Sequence, residues 1–180
     1  MAFESDRVKR GRSTFRYVEN NKMENIEKLQ LFKKIATEFL ESHPQLKYEW
    51  KEQDQGNIWG LSIFKIEENG FDVWLGFDGH DIYFSAGHVH HSEFWLNEKE
   101  PLESEIRKFL GFIRDLLSNK MRIIEKYAGK IAYKVLVQAW DGQKWKTEDT
   151  FGLLFFNYLG KRSEKIYQNN ILEGYNTINT

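Results

Sequence analysis

The chain has 180 residues, 29% of them charged, and a formal net charge of −1, so no global field draws it to nucleic acid or to anionic lipid. It contains no cysteine, which excludes disulfides, thiolate metal sites and cysteine nucleophiles. Aromatic residues make up 16% of a length that suits one domain, so ring burial should dominate a single core.

No apolar run approaches the roughly 20 residues that span a bilayer, and the first twenty residues hold no apolar signal core. The expectation is a soluble cytoplasmic protein with no membrane partner. Residues 1–22 read as a basic, flexible tail carrying Arg7, Lys9, Arg10, Arg12 and Arg16. Such an arm suits a nucleic-acid or an acidic partner. Residues 23–180 read as one domain.

Residues 24–42 carry the period of an amphipathic helix. Ile26, Leu29, Phe32, Ala36 and Leu40 recur every three or four positions, and Ile35 and Phe39 widen the stripe. Pro44 ends it, because the residue before a proline avoids the helical region. Leu46, Tyr48 and Trp50 then alternate with charged residues as a half-buried strand. A second strand is expected from Ile58 to about Glu67.

Asn69-Gly70 and Asp78-Gly79 are two-residue hairpin signals. Read so, Ile66 faces Val73 and Phe64 faces Leu75, while Phe77 faces His80, Leu75 faces Ile82 and Val73 faces Phe84. The opposite face then carries Trp59, Leu61, Ile63, Trp74 and Tyr83, too much apolar surface to leave wet. Either a second layer or a partner should cover it.

Three of the five histidines fall within residues 88–91, in GHVHHSEFW. On an extended strand His88 and His90 share a side, roughly 6.5–7 Å apart, and His91 points away. Such a pair chelates zinc, iron or nickel when further ligands join it, and Glu93 is the nearest carboxylate. His80 lies eight strand residues from His88, roughly 26 Å, too far to complete the set. His91-Ser92-Glu93 matches half of a zinc-deaminase signature whose other half needs cysteines. A polar strand end packed on Phe94 and Trp95 explains the same residues without metal.

Pro101 suits the first turn of a second helix, with a stripe from Leu102 through Leu117. Strands are expected at Met121–Ala128, Ile131–Trp140 and about Lys144–Tyr158, the last broken near Asp149, with a short tail around Ile166–Leu172. No nucleophile elbow, Walker loop or dinucleotide fingerprint occurs. Glu49-Trp50-Lys51 lacks the upstream acidic strand that a metal-dependent nuclease needs. Acids and bases alternate along the strands, so nucleic acid is not expected as a partner.

The Trp140-Asp141-Gly142 turn, Trp145, the run Thr150 to Phe156 and Tyr167-Gln168-Asn169 resemble the C-terminal part of a group of small uncharacterised bacterial proteins. In those a DG-x-W hairpin leads into a TGLLF run and ends in YLQN. Phe151 stands here at a position that is threonine-like in the group. The resemblance implies a bacterial origin and an α+β fold, and it transfers no activity or catalytic residue.

The fold expected is α+β, a twisted antiparallel sheet of six to seven strands packed against two helices in the order α-ββββ-α-βββ. No catalytic constellation can be assembled. The function expected is non-catalytic binding of a protein partner, of the immunity, adaptor or inhibitor type, through Trp59, Trp74, Tyr83, His88, His90 and Trp95. One alternative is a divalent-metal protein using His88, His90 and Glu93; another is an aromatic pocket for a small apolar ligand. No other cofactor is expected.

Overall fold

The computed structural model describes residues 6–53, 58–87, 89–94, 96–97, 99–152 and 160–172; of residues 6–23, 53 and 90–93 it describes the backbone alone. Helix α1 spans Asp6–Glu41 and helix α2 spans Leu102–Leu116. Between them lie β1 (Lys47–Gln53), β2 (Ile58–Phe64), β3 (Val73–Phe77), β4 (Ile82–Ala86) and β5 (Val89–Phe94). After α2 come β6 (Met121–Ala128), β7 (Ile131–Trp140), β8 (Trp145–Gly152) and β9 (Arg162–Tyr167). Among the described residues no helix is long and apolar enough to cross a membrane.

The α+β class and antiparallel pairing hold, but the single sheet and the order α-ββββ-α-βββ do not. Among the described residues five strands precede α2 and four follow it, in two sheets: a meander in the order β1-β2-β3-β4-β5 and a second in the order β8-β7-β6-β9. Strand β6 explains the split. It pairs with β7 across the Gly129 turn on one side and with β9 on the other, so neither of its edges remains for the first sheet. Strand β9 falls where a tail was expected. Its sequence is almost entirely exposed, as suits an edge strand, and carries little apolar alternation to reveal it. Helix α1 begins at Asp6, inside the segment expected as a tail.

One core joins both sheets and both helices. Leu29, Phe32, Ile35, Ala36 and Leu40 line the buried stripe of α1, and Ile106, Phe109, Ile113 and Leu116 that of α2. They cover Leu61, Ile63, Val73, Leu75, Phe77 and Ile82 of the first sheet, while Met121, Ile123 and Val137 bring in the second. Phe32 stacks on Phe77 at 5.1 Å, and Phe109 meets Phe84 and Phe94 at 6.0 and 5.1 Å. Each such side chain is worth about 1.5–3 kcal/mol over leaving it in water.

The hairpin registers differ from expectation. Leu61, not Phe64, faces Leu75, and Ile63, not Ile66, faces Val73. This change of three residues reverses the faces of β2, burying Leu61 and Ile63 and leaving Phe64 and Ile66 38% and 51% exposed. The reason is loop 65–72, which is longer than a two-residue turn. Its Glu67–Gly70 turn is closed by Gly70 N–H to the Glu67 carbonyl at 3.0 Å, and Phe71 leaves it to enter the core.

In the second hairpin Leu75 faces Phe84 and Val73 faces Ala86, two residues on from the expected register, so the faces survive. Here Asp78 builds a wider turn, its Oδ1 accepting the N–H of His80 and of Asp81, each at 2.9 Å. Gly79 adopts φ +93° in that turn, and a Cβ there would lie 1.4 Å from Asn25 Oδ1 of α1.

The segment after β9 ties these parts together. Asn169, 1% exposed, accepts the Phe71 N–H at 3.2 Å and donates to the Phe71 and Leu116 carbonyls at 3.1 and 3.4 Å. Gln168 N–H donates to the Asn69 carbonyl, and Ile171 N–H to that of Leu117, each at 3.0 Å. Replacing Asn169 with leucine strands buried donors and acceptors on two elements. It should cost about 2–4 kcal/mol in urea denaturation.

Asp141 closes the β7–β8 turn, with Oδ1 on the N–H of Lys144 (2.8 Å) and Gln143 (2.9 Å) and Oδ2 on Lys146 Nζ (2.9 Å). The Lys144 N–H first, then the Lys146 ammonium, depress its pKa from 3.8 to about 2. A depressed folded pKa gives stability that is present above 3.8 and lost as the pH falls through 2. The gap in melting temperature between the wild type and Asp141→Ala should therefore be constant above pH 4 and close as the pH approaches 2.

Candidate functional site

The sheet separates the aromatic residues that the sequence placed together. Trp59 pairs with Phe77, on the helix-covered face beside Leu61 and Ile63. Its ring meets Trp50 edge-on at 6.2 Å and carries Lys33 Nζ at 3.6 Å. The reversed face of β2 accounts for this placement. Trp74 and Tyr83 remain on the opposite face, with Ser62, Ser85 and the glycines at 60 and 76 as their neighbours.

Trp74 lies between Ser62 and Ser85 in the ladder and folds over Gly76. A Cβ at position 76 would sit 2.5 Å from the far edge of its indole, so the ring needs that glycine. The Tyr83 hydroxyl donates to Asp78 Oδ2 at 3.1 Å. Burial pushes the Asp78 carboxyl up, but the N–H groups of Asp81 and His80 and the Tyr83 hydroxyl outweigh it and hold the pKa below the usual value.

His88 and Trp95 lie outside the described residues, as do the side chains of His90 and Glu93. The backbone of β5 is informative. Phe84 pairs with Ser92 and Ala86 with Val89, so His90 and His91 together oppose Ser85. This is a β-bulge, and strict alternation does not pass through it. The expected sidedness of His88, His90 and His91 lies outside the described residues. His43 belongs elsewhere, with Nδ1 2.7 Å from the Phe39 carbonyl at the end of α1. Among the described residues no three metal-ligating side chains converge.

A cleft of about 450 Å³ lies between the two sheets on the Trp74 face. Ser62, Trp74 and Ser85 form one wall, and Glu125, Lys165 and Tyr167 of β6 and β9 form the other. Glu125 is 1% exposed. It accepts hydrogen bonds from the hydroxyls of Tyr127 and, at 3.3 Å, Tyr167. A buried carboxylate costs several kcal/mol unless it is hydrogen-bonded, and the two phenols supply that compensation.

Lys165, directly across from Glu125, holds its ammonium 4.6 Å from the Tyr167 ring. Tyr167 first, then the Glu125 charge, raise its pKa. The hydrogen bond to Glu125, then burial and the same negative charge, push the Tyr127 hydroxyl well up.

The cleft offers an aromatic wall, two serine hydroxyls and charges of both signs, all held by the sheets. Sequence reasoning missed Glu125, although a signal was present. In Met121-Arg122-Ile123-Ile124-Glu125 the carboxylate takes the inward phase of Met121 and Ile123.

Replacing Glu125 with glutamine should return the Tyr127 pKa towards its ordinary 10.0, read by ultraviolet titration of the phenols. The raised hydroxyl contributes stability that is complete below pH 10.0 and lost as the pH rises beyond it. Glu125→Gln should therefore also flatten the loss of stability in alkali. No family model, curated protein or solved structure matches this chain.

Proposed function

We propose that this is a non-catalytic binding protein of the immunity, adaptor or inhibitor type. It captures a protein partner, and the cleft beside Trp74 seats a side chain of that partner. One observation carries the reading: the cleft opens beside an apolar lip. Phe64, at the end of β2, lines it while 38% exposed, and Ile66 follows in loop 65–72, 51% exposed. A small ligand would be served by the cleft alone, whereas an apolar lip outside a cleft suits a larger contact.

The chemistry of the cleft agrees. Trp and Tyr are the residue types that most often dominate interface energetics, because a large ring loses little conformational freedom on binding. Lys65, Asp72, Glu125 and Lys165 place both signs of charge around Trp74, which favours register and selectivity over bulk adhesion. Ser62 and Ser85 keep the floor low and supply hydrogen bonds without bulk.

Filling the cleft tests the reading. Ser85→Phe places a ring beside Trp74 and away from the helix-covered core. It should shift the melting temperature by no more than about 2–4 °C. Ile66→Asp disrupts the lip, and Ile131→Asp, on an exposed residue of β7, serves as control. Proteins retained by the immobilised wild type should be lost with Ser85→Phe and Ile66→Asp and kept with Ile131→Asp. Equal retention by all three variants would remove the cleft from the interface.

A further inference from the structure

A second cavity, of about 420 Å³, lies on the other side of Ile123, which lines both spaces. It is bounded by the helix-covered face of the first sheet, by α2 and by the inner face of the second sheet. Phe84, Val89, Phe112, Leu116, Val137 and Phe151 are its main apolar walls. Its volume falls within the ~300–1,000 Å³ of small-molecule sites. Its apolar walls suit an apolar guest.

Among the described residues, the ionisable groups in this lining are all acidic: Asp115, Glu148 and Asp149. Glu148 and Asp149 are exposed, so they stand where the cavity meets water. Glu148 is the extra residue of a bulge in β8, since Thr147 pairs with Gln138 and Asp149 with Val137. Bulges of this kind re-aim side chains. Asp115 has Arg114 and Lys120 at 3.7 and 3.9 Å. Among the described residues Glu148 and Asp149 form no ion pair, and Asp149 Oδ1 accepts the N–H of Thr150 at 2.7 Å.

We infer that this cavity binds a cationic amphiphile, an aliphatic or aromatic body carrying an amine. The body lies among Phe84, Phe112, Val137 and Phe151, and the ammonium group rests at Glu148 and Asp149. The head stays at the rim, where it keeps part of its water and avoids the cost of burying a charge. The apolar walls supply affinity, and the carboxylates select the sign of the head group. This assignment is independent of the Trp74 cleft and would survive its failure.

Matched probes test it: octylamine, octanol and octanoate, each titrated into the full chain at low salt by calorimetry and by methyl chemical shifts. Octylamine should bind about three- to tenfold more tightly than octanol, as expected for exposed charge pairs, and octanoate more weakly than both. The margin should shrink in high salt. Glu148→Gln with Asp149→Asn should leave octanol binding unchanged and abolish the preference for the amine. Ala139→Phe, which fills the cavity, should remove all three while the protein remains folded by its melting curve.

Failure of every probe to bind would overturn the site. Equal binding of the three would overturn the cationic ligand, and an amine preference that survives the double carboxamide variant would place the head group elsewhere.

Discussion

The amide of Asn169 is the joint on which the arrangement of the two sheets depends. It reads the backbone of Phe71 in both directions and reaches the Leu116 carbonyl at the end of α2. One side chain that follows the second sheet thereby holds a loop of the first sheet and the helix between them. A Cβ on Gly70 would sit 2.6 Å from Asn169 Oδ1, so the loop comes as close as a glycine permits. These groups are buried, and a buried amide or carbonyl without a partner costs more than the bond itself contributes. The joint therefore specifies geometry as well as adding stability. It brings the end of β9, with Lys165 and Tyr167, alongside Trp74.

Both cavities arise from the same constraint. Two twisted sheets that share a core but belong to different layers cannot match surfaces everywhere, and the mismatch falls on either side of Ile123. On one side the first sheet offers serines, glycines and Trp74, and the second answers with Glu125 and Lys165. On the other the first sheet offers its helix-covered face, and the second answers with aliphatic side chains and an acidic bulge. The polar space and the apolar space are thus the two faces of one meander, each meeting the inner face of the second sheet.

The carboxylates illustrate how the fold handles charge. Asp78 and Asp141 each bind two backbone N–H groups in a turn, and both are held below their usual pKa. Glu125 has no such turn, and phenol hydroxyls from its own strand and from β9 serve it instead. The first arrangement is local and could be read from Asp-Gly dipeptides. The second needs β6 and β9 to be adjacent.

Periodicity and turn chemistry by themselves determined which faces of β3 and β4 are buried, the helix stripes of α1 and α2, and the strands Met121–Ala128 and Ile131–Trp140 with the turns that bound them. These features depend on neighbours a few residues apart, where hydrophobic phase and glycine conformation decide the outcome. Tertiary structure alone decided that there are two sheets, that Leu61 rather than Phe64 faces the helices, that Arg162–Tyr167 is a strand, and that Trp59 lies apart from Trp74. Each of these depends on a contact across a long stretch of chain: β9 closing the free edge of β6, or Asn169 holding Phe71 in the core so that loop 65–72 cannot shorten to a two-residue turn. A dipeptide such as Asn69-Gly70 states a preference worth about 1 kcal/mol or less, and a buried phenylalanine with a clamped backbone outweighs it.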